Sequence, residues 1–163
     1  MPLIKGGAFV EDPYTAVADD APLPEAGPFV VTLSRFKKDR DAILARNDAI
    51  GIGLKSAESP ESLGEDLARV SLIVLEFPYF KDGRAFSWAR ILRTRLAFAG
   101  EIRGSGHFLY DQIAFMNRSG FDAFEVPEGF TLDQFGRALG EITLAYQPSI
   151  DGRKTIRQLR ASR

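Results

Sequence analysis

Two stretches of this 163-residue sequence carry the side chains best suited to chemistry. The first is Phe77-Pro78-Tyr79-Phe80-Lys81-Asp82-Gly83-Arg84-Ala85-Phe86-Ser87-Trp88-Ala89-Arg90, and the second is Gly100-Glu101-Ile102-Arg103-Gly104-Ser105-Gly106-His107-Phe108-Leu109-Tyr110-Asp111-Gln112. Each runs from an apolar, strand-like segment through a turn into a helix-like one. In open α/β sheets ligands bind beyond the carboxyl ends of strands and near helix N-termini. Asp82-Gly83 is a turn signal, and the backbone N–H groups there, together with the guanidinium of Arg84, can hold a tetrahedral anion or a carboxylate. Both loops leave a parallel sheet on the same edge. Arg84, Arg103, Asp111 and Gln112 are therefore expected to converge on a polar pocket, with Arg118 joining them if the turn at Gly120 folds back. The same residues also have a purely structural reading, in which Asp82 caps a helix, Arg84 pairs with a neighbouring acid, and Phe77, Phe80 and Phe86 belong to the core.

Several other chemistries are excluded or disfavoured. The sequence has no cysteine, which removes disulfides, thiol nucleophiles and thiolate-held iron–sulfur clusters, and its one histidine cannot build a multi-histidine metal site. Histidine is the side-chain type whose unperturbed pKa lies near neutrality, which makes His107 a candidate general base, but a lone loop histidine is more often a surface or capping residue. No Ser–His–Asp arrangement surrounds it. Gly104-Ser105-Gly106 lacks the third glycine of a dinucleotide loop, since Leu109 stands in its place, and Gly51-Ile52-Gly53 lacks it too. There is no phosphate loop of the Gly-Lys-Ser/Thr type. Acid–base work by Asp82 or Asp111 would need a carboxyl that protonates readily, whereas arginine in the same stretches favours the charged form of a carboxylate. Anion binding is thus favoured over proton transfer.

The elements that must position these loops follow from periodicity. Phe29–Leu33, Ala49–Leu54 and Ser71–Phe77 read as strands, the last one continuously apolar and hence central. Glu101–Arg103 and Ala123–Val126 read as shorter strands. Helices are predicted over Lys37–Asn47, from Ser59-Pro60 to Ala68, over Phe86–Ala99 with Gly100 as its stop, over Leu109–Asn117, and from a Thr131/Gln134 capping box onward. Strand and helix alternate about five times, which predicts an α/β domain with a mainly parallel sheet, Rossmann-like and three-layered, with a partial barrel as the alternative.

That domain is expected to span residues 29–146. Residues 1–28 are a Pro-rich acidic leader without the basic start and apolar run of a secretory signal, so a cytoplasmic location is expected. Residues 147–163 form a basic tail carrying Arg153, Lys154, Arg157, Arg160 and Arg163, read either as a solvated helix or as a binding arm. Overall composition is that of a globular chain, 45% hydrophobic and 26% charged, with a formal charge of -1 that offers no general attraction to nucleic acid or anionic lipid. No run is long enough to span a membrane.

An ordered series of residues resembles a known family. Phe77-Pro78, Phe80, Asp82-Gly83-Arg84, Ser87, Ala89-Arg90, Leu92-Arg93, Gly100-Glu101, Arg103, Gly106, Asp111-Gln112, Arg118, Gly120-Phe121-Asp122 and Phe124 look like the bacterial domain of unknown function 934, and the likeness resumes at Tyr146-Gln147-Pro148. Members of that family are described as oxidoreductases associated with sulfite reduction and are commonly encoded beside sulfite reductase. The resemblance implies an accessory protein of assimilatory sulfite reduction. Such a protein would bind a small oxyanion through Asp82, Gly83, Arg84, Arg103, Asp111, Gln112 and Arg118, or dock on sulfite reductase with Phe80, Trp88, Arg90 and Arg93. An alternative is an oxidoreductase holding a nicotinamide or flavin in the same pocket, although the sequence shows no standard cofactor motif. A third is a structural or regulatory interaction module, with its phenylalanines and Trp88 forming a homo-oligomer face.

Overall fold

The computed structural model describes residues 1–162, so Arg163 of the basic tail lies outside the described residues. The strands are β1 (Leu3–Lys5), β2 (Ala8–Val10), β3 (Thr15–Ala16), β4 (Phe29–Thr32), β5 (Ile50–Leu54), β6 (Val70–Phe77), β7 (Glu101–Gly106) and β8 (Ala123–Glu125). The helices are α1 (Leu33–Lys38), α2 (Arg40–Leu44), α3 (Arg84–Thr94), α4 (Ile113–Ser119), α5 (Leu132–Gly140) and α6 (Ile156–Ala161), with 3-10 turns over Pro60–Arg69 and Tyr110–Gln112. Local chemistry accounts for several of the boundaries. Thr131 and Gln134 form the expected capping box at the start of α5, with Thr131 N–H donating to Gln134 Oε1 at 2.8 Å and Gln134 N–H to Thr131 Oγ1 at 3.2 Å. Gly120, at φ +109°, closes α4. Ser59 caps the segment that starts at Pro60, but Gly64 breaks it with φ +54° and it stays 3-10.

All eight strands join one sheet in the order β2-β1-β8-β7-β6-β5-β4-β3. From β3 to β8 each strand lies parallel to and beside its successor, while β1 runs antiparallel to both β8 and β2. This order corrects the Rossmann-like expectation. A doubly wound sheet needs a reversal of strand order so that helices cover both faces. Here every step goes the same way, right-handed crossovers put the helices on one face, and the sheet curls into a half-barrel. The α/β class holds and the partial-barrel alternative fits.

Register makes the two faces explicit. Val31, Ile52, Ile73 and Ile102 form one row across β4 to β7, and Leu54, Leu75, Gly104, Phe124 and Ile4 form another. All are buried on the helix side. Each such aliphatic or aromatic side chain contributes roughly 1.5–3 kcal/mol through burial. The intervening row, Thr32, Gly53, Val74, Arg103, Ala123 and Lys5, faces the concave side and carries charge.

Residues 1–28, expected to precede the domain, supply three strands of its sheet. β2 and β3 form its opposite edges, yet only residues 11–14 separate them in the chain. Laid flat, eight strands would put their edges ~34 Å apart at ~4.8 Å per step. Five residue steps reach at most ~18 Å. The Glu11–Tyr14 strap therefore requires a strongly curled sheet, and it crosses the concave side between the two edges.

Candidate functional site

The carboxyl ends of β5, β6 and β7 are knitted together by side chains that the sequence marks as anion ligands. Arg84 donates to Asp82 twice, from Nε at 2.9 Å and from Nη2 at 2.6 Å, and its Nη2 also reaches Ser56 Oγ at 2.9 Å. The backbone N–H of Arg84 adds a bond of 3.2 Å to the same carboxylate, and Trp88 Nε1 donates to Ser56 O at 2.9 Å. Hydrogen bonds from Arg84, with Ser56 adding to them, hold the Asp82 carboxyl far below the usual carboxylate range. Gln112 bridges the two loops, donating to Phe80 O at 2.9 Å while accepting from Leu109 N–H at 2.9 Å. Phe80 remains exposed, as does Asp111 on the neighbouring turn.

Arg103 lies elsewhere. The stretch through Gly106 continues β7, with the His107 N–H bonded to Phe77 O at 2.7 Å, so Arg103 is a mid-strand residue of the concave face and does not join Arg84. It is 1% exposed. Asp12 of the strap accepts from both its terminal nitrogens, at 2.7 and 3.1 Å, and Glu101 accepts from Nε at 3.1 Å. Glu125 lies 3.5 Å from Nη1, and the Tyr14 ring centroid lies 5.8 Å from the guanidinium carbon. Burial raises the Asp12 pKa, but its bonds from Arg103 and the Tyr14 N–H outweigh this and lower it overall.

Asp48, Asp66 and Asp151 are depressed as well as Asp12 and Asp82. A carboxylate whose folded pKa lies below its unfolded value of ~3.9 contributes stability that is complete above that value and is lost as pH falls through the folded one. Urea unfolding is expected to show a midpoint that falls steadily below about pH 4, and Asp82→Asn is expected to flatten that slope.

Arg93 is also a structural residue. Its Nη1 donates to Phe98 O at 2.6 Å and Gly100 O at 2.8 Å, its Nε to Gly120 O at 3.1 Å, and its Nη2 to the Asp122 carboxylate. The last anion candidate, Arg118, donates from Nε to Asp151 at 2.8 Å and from Nη2 to Gln147 O at 2.9 Å, which draws the tail across α4.

A cleft of about 400 Å³ opens between α3, α4 and residues 147–149. Gly83, Phe86, Ser87 and Arg90 line one side, Phe115, Arg118 and Ser119 the other, with Gln147, Pro148 and Ser149 across the end. It joins Gly83 and Arg118, expected as anion ligands, to Arg90, expected as a docking residue. Among the described residues the Arg90 guanidinium has no acidic partner within 4 Å and no side-chain hydrogen bond, in contrast to Arg84, Arg93, Arg103 and Arg118. Ser87 is exposed. One unneutralised cation beside hydroxyl groups can hold an oxyanion. Sequence reasoning did not bring Phe115 or Ser149 to this site. Phe115 sits three residues before Arg118, the spacing of one helix face, whereas Ser149 enters only through the tail's contacts with α4.

At the concave mouth a second hollow of about 240 Å³ is lined by Thr32, Lys55, Glu76 and Ser105, from four successive strand ends. The Thr32 hydroxyl there is already bonded to Asp19 at 2.6 Å. The signal for this hollow in the sequence is Glu76, a charge inside an apolar run.

Among the described residues no helix is long and apolar enough to cross a membrane, and no cluster of potential metal ligands occurs. No curated protein and no solved structure matches the chain significantly. The family described as "Bacterial protein of unknown function (DUF934)" matches residues 51–157, which contain all of β5 but its first residue, β6 to β8 and every residue of the α3–α4 cleft, and the chain belongs to that family.

Proposed function

We propose that this protein is an accessory component of assimilatory sulfite reduction that holds an oxyanion in the α3–α4 cleft, beside the exposed face through which it docks on sulfite reductase. The observation that carries the anion reading is Arg90, a cation without an acidic partner among the described residues, lining a cleft with Arg118, Ser87 and Ser149. Arg118 supports it from a fixed position, since Asp151 and Gln147 O restrain its guanidinium. The pathway rests on the resemblance of residues 75–124 to proteins encoded beside sulfite reductase. With no cysteine in the chain, electrons have no protein thiol on which to travel, which favours a binding role.

A ligand that binds only the native state raises its apparent stability. Sulfite, sulfate or phosphate at millimolar concentration is expected to raise the melting temperature, and Arg90→Ala is expected to abolish the rise while leaving the ligand-free melting temperature within about 1 °C, because Arg90 is exposed. Sedimentation with sulfite reductase tests the docking half. No thermal shift with any oxyanion, together with no co-sedimentation, would sink the proposal. A shift with a nicotinamide or flavin alone would favour the oxidoreductase reading instead.

A further inference from the structure

We infer that the ligand of the α3–α4 cleft is not a bare oxyanion but a planar aromatic ring carrying one phosphate or sulfate ester, with the ring on Phe115 and the anion at Arg90 and Arg118. This rests on the oxyanion reading of the cleft and extends it to the rest of the ligand.

The cleft is too large for a bare oxyanion. The cleft holds about 400 Å³. A water takes about 30 Å³ of liquid volume, and a four- or five-atom oxyanion only a small multiple of that. Volumes of ~300–1,000 Å³ are those of sites for organic ligands.

The two helices that wall the cleft align like with like. α3 and α4 each return from a parallel strand, so they run in the same direction. On α3, Phe86 precedes Arg90 by four residues, and on α4, Phe115 precedes Arg118 by three. Both spacings put the pair on one helix face about one turn, or ~5 Å, apart. The cleft is therefore built in two tiers, aromatic and cationic. The aromatic tier is joined, with the Phe86 and Phe115 ring centroids 4.9 Å apart.

The aromatic tier runs from the core to the surface. Phe86 packs edge-on to Phe77 at 5.2 Å, and Phe77 in turn packs on Phe108 and Phe121. Phe115 is the end of this series that reaches the surface, and it is 52% exposed in the cleft. A flat ring laid on Phe115 extends this run of edge-on and tilted aromatic contacts, and an ester link places its phosphate or sulfate one tier along, against Arg90. The exposed Ser87 hydroxyl supplies a neutral donor to the remaining oxygens, while the Ser149 hydroxyl is spent on Arg118 O at 2.6 Å.

Calorimetric titration of the full chain with inorganic phosphate, ribose 5-phosphate, phenyl phosphate, phenyl sulfate and adenosine monophosphate tests this. Stacking on an aromatic side chain gives the ring-bearing esters roughly a 10-fold tighter Kd than inorganic phosphate or ribose 5-phosphate. Phe115→Ala removes that gain and leaves inorganic phosphate binding unchanged, while Arg90→Ala weakens every ligand. The phosphate and sulfate arms decide which ester the site takes. Equal affinities for phenyl phosphate and ribose 5-phosphate, or a Phe115→Ala variant that binds phenyl phosphate as the parent does, would overturn the inference and leave the oxyanion reading intact. Failure of every anion to bind, inorganic phosphate included, overturns both. Circular dichroism of Phe115→Ala controls for folding, and the exposed ring is expected to leave the spectrum unchanged.

Discussion

Arg103→Ala is expected to cost about 3–5 kcal/mol of folding stability, the largest loss from any single charge in the molecule. The guanidinium is 1% exposed and is the common partner of Asp12, Glu101 and Glu125. Removing it leaves three carboxylates near one another with Lys5 as their remaining cation, bonded to Glu101 at 2.6 Å. It also releases the strap, whose hold on the concave face is the two-nitrogen bond to Asp12. Urea unfolding at pH 7 measures the loss. Repeating it with Arg103→Met combined with Glu101→Gln and Asp12→Asn separates charge from packing, because removing both sides of a buried pair is far milder than removing one. The triple variant is expected to recover most of the stability. If it is no better than Arg103→Ala, the arginine acts mainly through its hydrogen bonds to Asp12 and Glu101, which neither packing nor charge balance replaces.

Gly106→Ala is the second large effect, expected to cost roughly 2–5 kcal/mol through two independent terms. Gly106 ends β7 at φ +91°, where an L side chain is strained. A Cβ there would also lie 2.5 Å from Phe77 O, the carbonyl that accepts from the His107 N–H. Backbone cannot move aside as a side-chain tip can. Since Phe77 and His107 bracket the two loops of the carboxyl edge, a drop in thermal stability should be accompanied by loss of hydrogen-exchange protection at His107. Gly136→Ala is a useful control, because a Cβ at that position meets nothing within 4 Å.

The α/β class could be read from the sequence because alternation of apolar runs with capped helices is local information. Ser71–Phe77 is indeed flanked by strands on both sides, and the Thr131 capping box sits where its residue types placed it. Neighbour order is not local. Nothing in the periodicity of β4 to β8 distinguishes a sheet that grows in one direction from one that reverses, so the Rossmann-like arrangement and the half-barrel were equally compatible with the pattern. β1, β2 and β3 escaped notice because strands of two or three residues between glycines and prolines have no period to detect.

At the candidate site the residue types were legible and their partners were not. Asp82-Gly83-Arg84 reads as an anion loop until the aspartate is seen to be the anion. Arg103 reads as the last residue of a short strand opening into a loop because Gly104 and Gly106 follow it, although Gly104 is a strand residue whose missing side chain makes room for Met116 and Phe121 beneath the sheet. Arg90 was visible as a basic residue of an amphipathic helix. Its lack of an acidic partner among the described residues could be judged only once Arg84, Arg93, Arg103 and Arg118 had been traced to their acids and carbonyls.

The pairing of β1 with β8 also constrains the order of assembly. Leu3 lies opposite Glu125, so β1, made before the other seven strands, has as its neighbour the last of them to be made. At ~5–20 residues per second the N-terminal hairpin waits roughly 6–24 s for that partner to be made. Throughout that interval β3 to β7 can pair with successive neighbours as they emerge, whereas the other edge of the sheet stays open. Closure by the oldest part of the chain thus comes last, and until then the Asp12 strap is a tether with nothing to fasten.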